Sequence, residues 1–145
     1  MTHMTHSVLV AVDDSPLGRE ALTYALETFP DARIVAVHVA HLDLDMLPTD
    51  TPEVHEAALD ELDGVGDETA RNVFATIRDV ADGRDVRASF LTGEPDDRLV
   101  EYVTEGVFDG VVMGTHGRDG IARLLIGSVA EAVVRRTDVP TTLVK

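Results

Sequence analysis

Five short apolar runs rich in β-branched residues alternate with longer amphipathic stretches along the chain. The first, Ser7–Val12, ends abruptly at Asp13-Asp14-Ser15-Pro16. That ending reads as a strand followed by a helix start, with Ser15 placed to cap and Pro16 at the first helical position. Leu17, Ala21, Tyr24, Ala25 and Thr28 then recur at helical spacing, and Pro30 closes the pattern. Arg33–Val39 predicts a second strand. His41–Pro52 carries two prolines, scattered Asp and little periodicity, so it reads as a loop. From Glu53 a helical pattern resumes until Gly64 and Gly66 interrupt it. Each glycine costs about 1 kcal/mol inside a helix, which predicts a break or kink there. Asp67 then caps a second piece running to about Ala81. Val86–Leu91 is the third strand, Gly93-Glu94-Pro95 opens a helix with Leu99, Val100 and Val103 inward, and Phe108–Met113 is the fourth strand. Gly127–Arg136 reads as a helix and Val139–Val144 as the last strand.

The strands are continuous apolar runs rather than alternating ones, which predicts a sheet covered on both faces. The β-α-β-α order makes that sheet parallel with right-handed crossovers. The expectation is one doubly wound, five-stranded, Rossmann-like α/β domain over residues 7–145. The repeated tripeptide of residues 1–6 is expected to form a disordered extension outside it.

Chemistry concentrates behind the fourth strand. Gly114-Thr115-His116-Gly117 is followed, nine residues later, by Gly127-Ser128. Glycines let a backbone approach an anion closely, and a helix start offers N–H groups and the positive end of its dipole. The spacing is neither that of a Walker-type loop nor the Gly-x-Gly-x-x-Gly of dinucleotide folds. In an open parallel sheet, ligands bind beyond the carboxyl ends of the strands where the strand order reverses. If the first and fourth strands are neighbours there, Asp13 faces the glycine loop and can bond ribose hydroxyls or help hold a metal on phosphates. The alternative is that Asp13 or Asp14 only caps the first helix. Arg118 and Arg123 lie between the glycine pairs, where guanidinium groups suit phosphate or pair with a nearby Asp. His38 and His41 are three apart in or just past a strand, so they point to opposite faces and do not suit one shared ion.

Composition narrows the partners. Acidic residues number 27 against 12 basic ones, for a net charge of −15, and Lys145 is the one lysine. Such a surface repels nucleic-acid backbones and anionic membranes. It also repels itself, a penalty that largely disappears in molar salt, where the Debye length is roughly 3 Å. The balance suggests a high-salt cytoplasm such as that of a halophilic archaeon, with an acidic protein of ordinary salt as the alternative. Cys and Trp are absent, and four Phe and two Tyr make up the aromatics, so the core is aliphatic. No apolar stretch reaches the ~18 residues of a membrane span, and the N-terminus has no signal-peptide pattern, so a cytoplasmic location is expected.

Three sites in register carry a resemblance: Ala11-Val12-Asp13-Asp14-Ser15-Pro16, His38-Val39, and Gly114-x-x-Gly117-x(9)-Gly127-Ser128, with Gly93-x-Pro95 between them. From about Ser7 to the end the chain resembles the universal stress protein family, and specifically its ATP-binding members, whose glycine pattern it keeps whole. The resemblance implies strand order 3-2-1-4-5. It implies that the backbone of Ala11, Val12 and Val39 flanks adenine, with Val39 pairing to the base edge. Asp13 would take the ribose or the Mg²⁺-phosphate end, and Met113 and Gly114 would lie under the ribose. His116 and Gly117 would line the phosphates, and Gly127, Ser128 and Val129 would supply N–H groups. Ala130 stands where some ATP-binding relatives carry a hydroxyl. The resemblance also implies a homodimer joined through Val139–Val144.

The reading is therefore a regulatory protein that binds ATP with Mg²⁺ and hydrolyses it slowly at most, since only His116 is a candidate base. The rival is a dimeric interaction module on the same scaffold that takes no nucleotide. A related ATP-using ligase or electron-transfer flavoprotein is a third, remoter reading, because the Ser-Gly-Gly loop of such ligases is missing.

Overall fold

Val8, Leu9 and Val10 are each fully buried, because the strand they form has an apolar layer on both sides. The computed structural model describes residues 6–41, 53–115 and 126–145. In it β1 (Ser7–Ala11) leads to α1 (Pro16–Thr28), β2 (Arg33–Ala40), β3 (Val54–Ala58), a 3-10 turn (Leu59–Leu62) and α2 (Glu68–Ala81). β4 (Val86–Thr92), α3 (Pro95–Glu105), β5 (Gly110–Gly114), α4 (Ser128–Arg136) and β6 (Thr141–Val144) complete the order. The sheet runs β3-β4-β2-β1-β5-β6. The five expected strands are all present and parallel, in the spatial order 3-2-1-4-5 among themselves. One apolar layer packs α1 and α2 on the sheet through residues such as Val8, Val10, Leu22, Phe74 and Phe90. The other packs α3 and α4 through Leu9, Val37, Leu99, Val111 and Val133. Among the described residues no helix is long and apolar enough to cross a membrane.

The sixth strand corrects the sequence reading. Val54–Ala58 was expected to begin a helix, yet it pairs antiparallel with β4 at the sheet edge. Val54, Ala57 and Ala58 carry helix-like spacing, but the open backbone edge of β4 offers hydrogen bonds that a lone helix there would leave unused. A register shift between Val54 and Ala57 accommodates Glu56 at φ 49°. The expected break at the glycines is real. Gly66 has φ 81°, and a Cβ there would stand 2.6 Å from Ala70 Cβ. Asp67 caps α2 by accepting from Ala70 N–H at 2.9 Å.

α1 also differs in detail. Ser15 caps it and Pro16 begins it, as the sequence implied. The buried face is Gly18, Ala21, Leu22, Ala25 and Leu26, while Tyr24 and Thr28 are exposed. Gly18, Ala21 and Ala25 share that face with Leu22 and Leu26, and Tyr24 lies off it.

A polar clasp locks the edge strand to α3. Arg98 Nε donates to Glu53 Oε2 at 2.9 Å and Arg98 Nη2 to Oε1 at 2.7 Å, while Thr92 N–H adds a bond of 2.9 Å to Oε2. The Arg98 guanidinium, with help from the Thr92 N–H, holds the Glu53 carboxyl at about 2, although burial works against it. Because the folded value lies below the ordinary 4.5, the clasp stabilises the fold above that pH and is lost as acid titrates Glu53 down to about 2. Glu53→Gln should lower Tm at neutral pH by about 2–4 °C, the effect of ~1 kcal/mol from a solvent-screened pair. Thermal melts stepped from pH 5 to 2 should show a shallower loss in the variant than in the native chain; parallel profiles would refute the assignment.

Candidate functional site

The chain leaves β1 toward β2 on one side and returns to β5 on the other, so a crevice opens at the carboxyl ends of these strands. A cavity of about 270 Å³ occupies it. Ala11, Val12 and Asp13 line it from the end of β1, Val39 from β2, Met113 and Gly114 from β5, and Gly127, Ser128 and Val129 from the start of α4. The structure therefore brings these nine sequence-predicted residues to one place. His116, Gly117 and Arg118, together with Arg123, lie outside the described residues. The sequence reading missed Ser15, Gly18, Val37, Pro95 and Leu99 as wall residues and did not place His38 there.

At the β1 end, Asp13 is braced by the turn that follows it. Its Oδ1 accepts from Ser15 N–H at 3.1 Å and from the Ser15 hydroxyl. Ser15 Oγ in turn caps α1 by accepting from Gly18 N–H at 3.3 Å. The helix cap is therefore Ser15, and Asp13 supports the capping residue rather than the helix itself. Gly18 belongs to this turn: a Cβ there would stand 2.9 Å from Asp13 O and 3.0 Å from Asp13 Oδ1. The glycine two residues beyond Pro16 was the available sequence signal.

At the β2 end, His38 is 6% exposed. Its Nδ1 lies 3.2 Å from Val12 O, and since a carbonyl only accepts, Nδ1 carries the proton. The ring meets Phe74 edge-on at 6.1 Å and Phe90 at 6.3 Å. Burial pushes His38 below its ordinary 6.5, against opposing pulls from the Val12 bond and from Asp67, Asp13 and Asp14. His41 is instead exposed, with Nε2 3.3 Å from Glu94 Oε2. Among the described residues no three His, Asp or Glu side chains gather as a metal site.

The start of α4 revises two expectations. Gly127 is the N-cap residue and Ser128 the first residue of the helix. Gly127 N–H donates to Thr115 O at 2.6 Å, which takes it from the set of donors facing the crevice. The first N–H groups of the helix, those of Ser128, Val129 and Ala130, have no intrahelical acceptor by the geometry of a helix start. Gly127 has φ −64° and ψ 158°, a conformation open to any residue, so what glycine contributes here is space. Met113 is 4% exposed and serves both the core and the cavity wall.

Residues 4–145 match the sequence profile of the universal stress protein family. The chain is 27% identical over 143 residues to Universal stress protein MJ0531 of Methanocaldococcus jannaschii, covering 95% of this chain and 81% of that protein. Its fold matches the solved structure of MJ0577, from the same organism, with TM-score 0.73 at 22% identity, over 99% of this chain and 97% of that one. A universal stress protein solved in complex with cAMP matches with TM-score 0.65 at 25% identity, over 99% of each chain.

The tight packing at the β1 turn gives a direct test. Gly18→Val forces the Asp13 backbone to move and should cost about 1–3 kcal/mol, as overpacking does. Urea denaturation measures it, and an unchanged midpoint would show that the turn tolerates the side chain.

Proposed function

Because the chain belongs to the universal stress protein family, we propose that it is a regulatory protein that binds ATP, with Mg²⁺, in the crevice between the ends of β1 and β5. The observation that carries this reading is the cavity at the strand-order reversal, walled by strand ends on one side and a helix N-terminus on the other. Val12 N–H donates to Val37 O at 2.9 Å, so Val37 directs its peptide groups toward β1. Val39, two residues on, directs its own the same way, past the last residue of β1. Its N–H and C=O suit the donor-acceptor edge of adenine. Leu99, Met113 and Val37 supply apolar wall for the base and ribose.

The phosphates fall to α4 in this reading. The N–H groups of Ser128, Val129 and Ala130, the Ser128 hydroxyl and the helix dipole together favour an anion. His116 and Gly117 join them by the family resemblance, and Arg118 by the fit of a guanidinium to phosphate. Bound Mg²⁺ would offset phosphate charge in a chain of net charge −15, with Asp13 placed to reach it through the phosphates. Efficient hydrolysis requires a positioned base beside the γ-phosphate, and His116 is the sole candidate, so binding rather than turnover is the function. The relative in complex with cAMP supports an adenine nucleotide and makes cAMP the natural competitor to assay. The acid excess supports a saline, archaeal-type cytoplasm as the working environment.

A homodimer through β6 is part of the proposal. β6 is a terminal strand of the sheet. Val111 N–H and Thr115 N–H donate to Pro140 O and Val144 O, both at 2.9 Å, so Thr141 and Leu143 turn their peptide groups to the outer edge. Leu143 packs its side chain on the α3–α4 layer, which makes Thr141 the cleaner position to probe.

Equilibrium dialysis in about 2 M KCl, where surface charge is screened, should show saturable ATP uptake below millimolar concentration; a folded chain with no uptake at millimolar ATP would sink the reading. Gly127→Val fits the local backbone but fills the space beside α4, and should abolish uptake while leaving the dimer intact. Thr141→Pro removes an outward N–H without touching the β5 ladder, and should give a monomer by light scattering that still binds ATP.

A further inference from the structure

The ladder between β1 and β2 stops one rung early. Its register ends at Ala11–Val37, a pair closed by the bond from Val12 N–H to Val37 O. The next rung of a parallel ladder would run from Val39 N–H to Val12 O. Among the described residues that rung is not formed, and Val12 O instead faces His38 Nδ1 at 3.2 Å. The carbonyl that would have taken the Val39 N–H is held by the neighbouring side chain.

We propose that His38 is the positioning residue of the adenine end: by donating Nδ1–H to the Val12 carbonyl, it keeps that carbonyl off Val39 and leaves the Val39 N–H to the base. The inference rests on the ATP reading above and adds a residue to it. His38 alternates with Val37 and Val39 along β2, and those two pack in the α3–α4 layer while the His38 ring meets Phe74 of α2. The ring therefore packs on the α1–α2 side of the sheet and acts on the adenine end through the backbone. Two aromatic neighbours on Phe74 and Phe90 fix the ring so that Nδ1 meets the carbonyl. Phe at this position would keep the aromatic packing and lose the donor. Asn would keep a donor on a shorter side chain.

Inosine triphosphate discriminates the role, because its N1 carries a proton where that of ATP accepts one. An N–H left exposed at Val39 favours adenine over hypoxanthine. The experiment measures dissociation constants for ATP and inosine triphosphate by dialysis for the native chain, His38→Phe and His38→Asn. Circular dichroism and melting curves accompany each variant. The native chain should prefer ATP. His38→Phe should bind ATP about tenfold more weakly, the effect of one misdirected hydrogen bond, with its preference falling toward unity. His38→Asn should regain much of both. Nitrogen-15 spectra of the native imidazole supply a reading that needs no variant: the Nδ1-protonated tautomer is expected, and the Nε2-protonated one would overturn the inference. A native chain that binds no nucleotide overturns the ATP reading and this role with it. A native chain that binds ATP, beside a folded His38→Phe with the same affinity and preference, overturns the role of His38 alone.

Discussion

The early end of β1 is the constraint on which the rest of the structure depends. β1 pairs with β2 only as far as Ala11–Val37, and β2 then runs on to Ala40. A central strand shorter than β2 leaves a notch whose floor is backbone and one side of which is the longer β2. The turn Asp13–Gly18 carries the chain out of that notch, with Ser15 bonding both ways and Gly18 too close to Asp13 for any side chain. Across the notch, α4 begins where Gly127 is tied to Thr115. The crevice thus follows from three local backbone decisions, none of which involves a large side chain.

Much of this was legible in the sequence because buried parallel strands declare themselves as apolar runs. Ser7–Ala11 and Ile34–Val37 are such runs, Val86–Thr92 carries Arg87 and Ser89 among its apolar residues, and the Asp-Ser-Pro and Gly-Glu-Pro sequences after β1 and β4 mark helix starts unambiguously. β3 was illegible for the opposite reason. It is short, its side chains are mostly half-exposed or exposed, and a shift in register places its apolar residues at helix-like intervals. The site residues at strand ends were legible because the glycine spacing and the strand boundaries coincide there. Gly18, the His38–Val12 bond and the Gly127–Thr115 bond were not, since each depends on which backbone group lies opposite in space.

The clasp at Glu53 and the brace at Asp13 show how so acidic a chain uses its few favourable contacts. Arg98 joins α3 to the segment that enters β3, and Pro95 and Leu99 of the same helix form cavity wall. An ion pair at the edge of the sheet is therefore mechanically linked to the site through one turn of helix. Asp13 has Oδ1 committed to Ser15, so its carboxylate is oriented before any ligand arrives, which reduces the ordering that binding must supply.

The electrostatics of the crevice also suit the environment that the composition suggests. Among the described lining residues, Asp13 is the one acidic side chain, and Lys and Arg are absent. Attraction between exposed charges fades within a few ångströms in molar salt, so a cluster of surface cations would steer a polyanion poorly there. Backbone N–H groups act at contact distance, where little solvent or salt intervenes, and their alignment is set by α4 rather than by flexible side chains. On the proposed reading, a site built from strand ends and a helix start would keep its hold on an anion in conditions that neutralise a basic surface.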